Sequence, residues 1–190
     1  MNAPQTYLNV PRPYRFNVDE FILLNDAGVF DDCGKTELIE GEIYYMNSQW
    51  SRHARAKSNL NTEIALALRA MASEYEAIVE VAVHLSDDSM PEPDIVVTNY
   101  KGNRAVPLDT VALLVEVSDT TLGTDLGRKR ELYAKAGVPE YWVVDVNDNR
   151  VLIHADPKDG TYPEPHSIPF GEKLISLTFA RLEVESNRLV

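Results

Sequence analysis

The chain is poor in the features that would mark a stapled, zinc-clipped or membrane-bound protein. It has one cysteine, Cys33, so no internal disulfide can form, and no cysteine–histidine spacing marks a zinc site. No apolar run approaches the ~20 residues that a membrane helix needs. The opening MNAPQTYLNVPRPYRF lacks the apolar core of a secretory signal, and a cytoplasmic location is expected from that. Basic residues are scarce: 18 Lys and Arg stand against 30 Asp and Glu, for a net charge of −12. That deficit argues against generic binding to nucleic acid, which uses basic surface to displace counterions from phosphates. It leaves room for a local basic groove and favours cation binding. The remainder is ordinary for a soluble domain, with 44% apolar and 25% charged residues. A length of 190 residues suits one well-packed domain and is short for two.

Local patterns divide the chain. Residues 1–15 are rich in proline and read as an extended arm, leaving 16–190 as a single domain. Phe16–Phe30 reads as a short helix with Asn17 as N-cap. Lys35–Met46 (KTELIEGEIYYM) reads as a hairpin turning at Glu40-Gly41. Ser51–Tyr75 is helical, with Leu60, Ile64, Leu66, Leu68 and Met71 recurring near a 3.6 period. Strands are then expected at Ile78–Leu85, Ile95–Thr98, Val111–Val117, Tyr141–Val146 and Val151–His154. A helix over Leu126–Ala136 interrupts them and is capped by Gly137. Asn147-Asp148-Asn149 is a turn. Two further strand-like runs follow in the segment 157–190. The fold class is α/β, one domain with a mixed sheet flanked by helices.

One strand carries an anomaly. In VALLVEVSD, Val111–Asp119, six of the first seven residues are apolar, yet Glu116 sits among them. An unpaired carboxylate taken out of water costs several kcal/mol. Upstream, PEPDIVVTN places Asp94 at the start of a short apolar strand, behind two prolines that fix its approach. Strands this close in sequence are natural sheet neighbours. Two neighbouring carboxylates repel unless a cation lies between them. Mg²⁺, which takes one or two carboxylates and keeps sites open for substrate phosphate, answers that need. The next helix adds a lysine. With Leu126 at 0°, Tyr133 falls at about 340°, Ala136 at about 280° and Leu132 at about 240°, while Lys129 falls at about 300°, inside the apolar stripe. Lys129 therefore points toward Glu116 and Asp94, whereas Arg128, Glu131 and Lys135 face away. Two carboxylates, a metal and a lysine form a kit for phosphodiester hydrolysis. Each residue also has a bland reading: Glu116 as a salt-bridged core residue, Asp94 as a turn residue, Lys129 reaching along its helix to water.

The segment LLVEVSDTTLGTDLGRKRELYAKAGVPEYWVVD, Leu113–Asp145, with PEPDIVV upstream, resembles the Uma2 family of endonucleases within the PD-(D/E)XK nuclease superfamily. The matching residues are Glu116-Val117-Ser118, then Asp125 and Lys129, then Tyr133, then Gly137–Trp142 and Asp145. LIEGEIYYMN with His53 downstream matches the family's opening, so the likeness runs over roughly Val18–His154. The resemblance implies a restriction-endonuclease-like core. It implies Asp94 and Glu116 as ligands of Mg²⁺ or Mn²⁺, with the carbonyl of Val117 as a third. It also implies DNA as the partner. The superfamily lysine normally stands two residues after the acidic residue; here that position is Ser118, and Lys129 on the next helix takes its place. Glu42 and His53 are further site candidates, with the solvent face of a hairpin and a helix N-terminus as their structural alternatives. Asp125 is either a site residue, a first-turn acid favouring the helix dipole, or an i,i+4 partner of Lys129. Tyr141 and Trp142 read as core.

A rim of Arg52, Arg55 and Lys57, with Arg128 and Arg130, would contact DNA. A homodimer is expected, because cutting two strands commonly takes two sites. The competing reading is a catalytically weak nuclease-fold scaffold acting as a homo-oligomeric binding protein, favoured by Ser118 and the −12 charge. Hydrolysis of another phosphate ester would use the same residues.

Overall fold

The computed structural model describes residues 11–46 and 48–189; most of the arm expected over 1–15 lies outside them. Helix α1 spans Val18–Asp26 and starts where its cap dictates. The Asn17 side chain accepts from the Glu20 amide at 2.9 Å, and the Asn17 amide donates to the Glu20 carboxylate at 3.0 Å. This reciprocal box satisfies two amides that the first helical turn leaves unpaired. The hairpin follows as β1 (Thr36–Ile39) and β2 (Glu42–Tyr45). Its turn residues Glu40 and Gly41 have φ of 50° and 76°, the left-handed pair that matches strand twist in a two-residue hairpin.

Helix α2, Ser51–Ala70, is five residues shorter than its pattern predicted. The chain leaves the helix through Ala72, at φ 50°. The run expected as one strand over Ile78–Leu85 is two: β3 (Glu76–Val79) and β4 (Val83–His84). Glu80, at φ 50°, breaks it, and β4 pairs in parallel with β6 (Val106–Pro107) instead. Strand β5 is Ile95–Thr98 and β7 is Val111–Ser118.

The helix expected over Leu126–Ala136 begins earlier and is not uniform. It comprises α3 (Leu122–Thr124), a π turn (Asp125–Lys129) and α4 (Arg130–Ala136), closed by Gly137 at φ 80°. In an α-helix each step of four residues advances the side chain by about 40°, so Asp125, Lys129 and Tyr133 would drift around the axis. The wider π turn removes much of that drift and turns all three inward, where each is buried. Strands β8 (Glu140–Asp145), β9 (Arg150–Ala155), β10 (His166–Pro169), β11 (Lys173–Ile175) and β12 (Glu183–Glu185) complete the chain. The C-terminal part thus carries three strands rather than two.

Six strands form the main sheet in the order β10-β9-β8-β7-β5-β3. Every pair is antiparallel except β7–β8, which needs a crossover, and the α3–α4 segment supplies it. All residues of β7 and β8 are buried, as central strands require. Period-two alternation then decides which face each side chain meets. Leu113, Val115 and Val117 pack with Leu60 and Ile64 of α2. Leu114 and Val143 pack on the other side with Leu132 and Tyr133 of α4. Glu116 falls on this second face. Among the described residues no helix is long and apolar enough to cross a membrane.

Two buried polar groups shape the rest of the core. Glu140, at the start of β8, is fully buried. One of its oxygens accepts from Trp142 Nε1 at 2.6 Å. The other accepts from Ser176 Oγ, the Leu177 amide and both the amide and hydroxyl of Thr178, at 2.7–3.0 Å. Donors, not a cation, hold this charge. His154 lies among the rings of Tyr141 and Tyr162, and neither of its nitrogens makes a well-formed hydrogen bond. Burial, helped by the charge of Arg130, holds its pKa down to about 4, with the Pro163 backbone pulling weakly the other way. The folded value lies below the unfolded one of ~6.5, so the stability of the neutral ring is whole above that pH and is lost as pH falls through 4. His154→Phe should therefore flatten the stability curve between those limits by up to about 3 kcal/mol, measured by urea unfolding across the range. Parallel curves for the two proteins would refute it.

Candidate functional site

The site grows from the end of one strand pairing. Strands β5 and β7 pair in antiparallel from Thr98↔Val111 to Ile95↔Val115. Asp94 lies just before β5, where the ladder would continue, and its side chain takes over: Oδ2 accepts from the Val117 amide at 2.8 Å. This bond holds Asp94 beside the Glu116 strand. From α2, His53 Nε2 stands 3.2 Å from Asp94 Oδ2 and Lys57 Nζ 3.5 Å from Oδ1. His53 and Lys57 are four apart and share a helix face. Gln49 Nε2 adds a contact of 3.3 Å to Oδ1. Burial alone would raise the Asp94 carboxyl, but His53 and the Val117 amide more than offset it and hold its pKa at about 2. Asp94 is ionised at any working pH.

Glu116 lies on the second face of the sheet and meets α4. Its Oε1 accepts from Lys129 Nζ at 2.9 Å and from Tyr133 Oη at 2.8 Å. Lys129 is 1% exposed. Its ammonium is shared with Glu37 of β1, at 3.1 Å. Burial works against the charge on Lys129, but Glu116, Glu37 and Asp125 outweigh it and raise its pKa, so it stays protonated. Burial raises the Glu116 carboxyl, and the neighbouring Asp125, Asp94 and Glu37 raise it further against the pull of Lys129.

Glu37 was not anticipated. Its only local mark is that it shares a strand face with Ile39. It is fully buried, and its Oε1 also accepts from the Glu92 amide at 2.9 Å. Pairing between Leu38 and Met90 ties the hairpin to the segment before β5 and brings Glu37 there.

The remaining candidates separate. Asp125 is buried, and its Oδ2 accepts from Ser118 Oγ at 2.7 Å and Thr121 Oγ1 at 2.6 Å. It forms no ion pair with Lys129 among the described residues, because those hydroxyls hold its carboxylate. Burial raises its pKa. Ser118 spends its hydroxyl on Asp125. Glu42 stands outside the cleft and pairs with Arg15 at 2.7 Å and Arg128 at 3.0 Å. Arg128 is also held by Glu40 and lies over the Tyr44 ring, 4.8 Å from its centroid. Lys57, expected on a cationic rim, is instead buried, bonded to Gln49 Oε1 at 2.6 Å and Glu80 Oε1 at 2.5 Å. Arg52 is bonded to the Val146 carbonyl, and among the described residues exposed Arg55 reaches only Ser51, at 3.4 Å. Tyr141 and Trp142 are buried core residues, as expected.

Asp94, Glu116, Val117, Asp125 and Lys129 line one cleft of about 780 Å³. Its donor set suits a hard cation, which takes oxygen ligands. Asp94 is ionised, and Glu116 Oε2 carries no hydrogen bond to the described residues, leaving an oxygen free on the cleft side. Among the described residues no group of three or more His, Cys, Asp or Glu is set to hold a metal. The arrangement therefore fits an ion that completes its shell with water and substrate oxygens, as Mg²⁺ does, and not a closed protein cage.

The family model for Uma2, whose description reads "Putative restriction endonuclease", matches residues 18–187. A crystal structure described as a "putative nuclease belonging to DUF820" from Anabaena variabilis is similar in fold, with a TM-score of 0.68. The two are 18% identical, and the match covers 92% of this chain and 97% of that one. No curated protein matches the sequence.

Proposed function

Since the chain belongs to the Uma2 family, we propose that it is a metal-dependent nuclease that hydrolyses phosphodiester bonds, with DNA as substrate and Mg²⁺ or Mn²⁺ as cofactor. The observation that carries this reading is the convergence of Asp94 and Glu116, from adjacent strands, on one cleft beside a buried, protonated lysine. Asp94 and Glu116 are the metal ligands, and the Val117 carbonyl is a third. When bound, the ion polarises a phosphoryl oxygen and lowers the pKa of the attacking water.

The chain's own residues do the rest. The Val117 amide fixes Asp94 in rotamer and charge. Lys129 has three N–H donors, of which Glu116 and Glu37 take two. Among the described residues the third has no partner, and it can meet a phosphate oxygen in the cleft and stabilise the charge that grows there. Because Lys129 keeps its proton, it acts as an electrostatic donor and not as the base. Tyr133 and Glu37 hold Glu116 and Lys129 in place and touch no substrate.

Calorimetric titration with Mn²⁺ tests the reading without knowledge of the substrate sequence. Saturable binding is expected in the wild type and its loss in both Asp94→Asn and Glu116→Gln. Binding must displace the proton that burial favours on Glu116, so proton release is expected and should decline as pH rises. Comparing buffers of different ionisation enthalpy reads that release. A wild type that neither binds Mn²⁺ alone nor in the presence of an oligonucleotide would favour the scaffold reading, in which Glu116 is a salt-bridged core residue.

A further inference from the structure

Two large aromatic rings stand in water at the mouth of the cleft. Tyr45 is 71% exposed and Trp50 is 76% exposed, and both line the cavity that holds Asp94, Glu116 and Lys129. The other exposed apolar residues, such as Leu23 and Leu66, lie elsewhere. Both rings sit on regular elements: Tyr45 ends β2, and Trp50 is the residue from which α2 starts.

Most of the charges around them are spent, Arg55 excepted. Glu40 and Glu42 hold Arg128, the Val146 carbonyl holds Arg52, and Glu80 holds Lys57. With a net charge of −12, the protein has little basic surface free to grip a phosphate backbone. Stacking needs no such charge, because every base has a π face. In an intact duplex those faces are covered by neighbouring bases, and only the edges are open. A ring can reach a base face only when the base has left the stack.

Resting on the nuclease reading, we infer that Tyr45 and Trp50 form a stacking platform for an unpaired base next to the scissile phosphate, so that the site takes single-stranded or locally opened nucleic acid in preference to duplex. The aromatic pair supplies the affinity that the acidic surface cannot, and it sets substrate structure rather than sequence.

The test uses the full chain with chelator present, so that nothing is cut. Fluorescence anisotropy follows binding of an oligothymidine strand and of its duplex with oligoadenosine. The single strand should bind more tightly than the duplex, with a shallow dependence on salt. It should also quench tryptophan emission, since Trp142 is buried and Trp50 is the tryptophan in reach. Trp50→Ala and Tyr45→Ala should each weaken single-strand binding roughly 5- to 150-fold, and Trp50→Phe should keep most of it. Both side chains are exposed, so these variants should fold as the wild type does.

Mn²⁺ titration separates this proposal from the one it rests on. The aromatic variants should bind Mn²⁺ normally, whereas Asp94→Asn should lose Mn²⁺ and keep the single strand. Duplex binding equal to or tighter than single-strand binding, or full single-strand affinity in both alanine variants, overturns the platform even if Mn²⁺ binds as proposed. A change in sedimentation on Trp50→Ala with unchanged oligonucleotide affinity also overturns it, and assigns the rings to contact between copies of the chain.

Discussion

Replacing Glu116 by glutamine is expected to lower cleavage of supercoiled plasmid in Mn²⁺ by at least about a thousandfold, with the fold intact. The magnitude follows from what the proposed metal would supply. Polarising the phosphoryl oxygen and activating water are worth several kcal/mol in the transition state. Each 1.36 kcal/mol is about a factor of ten in rate. Glutamine keeps the shape and one acceptor oxygen, so Lys129 and Tyr133 still have a partner at the position of Oε1. Burial already pushes this carboxyl toward its neutral form, and a neutral amide suits that environment. A plasmid-nicking assay beside a thermal melt separates the two effects. Undiminished nicking would remove Glu116 from the metal site, whereas lost nicking with a collapsed melt would mean that glutamine broke the fold instead.

Lys129→Met should act in the opposite way, on stability first. It leaves Glu37, which is fully buried, and Glu116, which is nearly so, without the ammonium between them. Breaking a buried pair by removing one partner costs about 3–5 kcal/mol. For a chain of this size that is a fall in Tm of roughly 6–20 °C. Adding Glu116→Gln to Lys129→Met should recover part of the loss, because one of the two stranded carboxyls goes with it. The double-mutant cycle measures the coupling directly. A Lys129→Met protein as stable as the wild type would show that the carboxyls simply take up protons, and that the lysine is retained for chemistry alone.

The parts that could be read in the sequence are those fixed by neighbours along the chain. Asn17, Glu40-Gly41 and Gly137 each act within a few residues, and the helix start, the hairpin turn and the helix end fall where local rules put them, although α1 stops at Asp26 rather than at Phe30. Glu116 was conspicuous because the polar exception lay in a continuous apolar run. Lys129 was found by helical phase, although the π turn before it was not foreseen. What escaped depends on distance. Glu37 meets Lys129 across 92 residues, and nothing local marks a glutamate in an alternating strand as buried. Lys57 looked like a rim cation because a helix pattern does not say which polar face meets Asp94. The break at Glu80 is a backbone choice that lets β4 leave the sheet for β6. Glu140 sits in a motif that invites a functional reading, yet its bonds go to Trp142 and the C-terminal turn.

The order of the main sheet has a consequence for how the protein is made. Its strands lie side by side in the order of the chain, from β3 at one edge to β10 at the other. As the polypeptide leaves the ribosome, every strand of that sheet after β3 finds a partner already made, so only β3 waits with both edges open. Domains emerging at about 5–20 residues per second are most exposed to misassembly while edges stand unpaired, and here that interval is short at every step. A late step is the seating of Ser176–Thr178 on Glu140 of β8, after which only β12 has still to pair with β11. A chain cut short before residue 176 would therefore leave the Glu140 carboxylate lacking most of its donors.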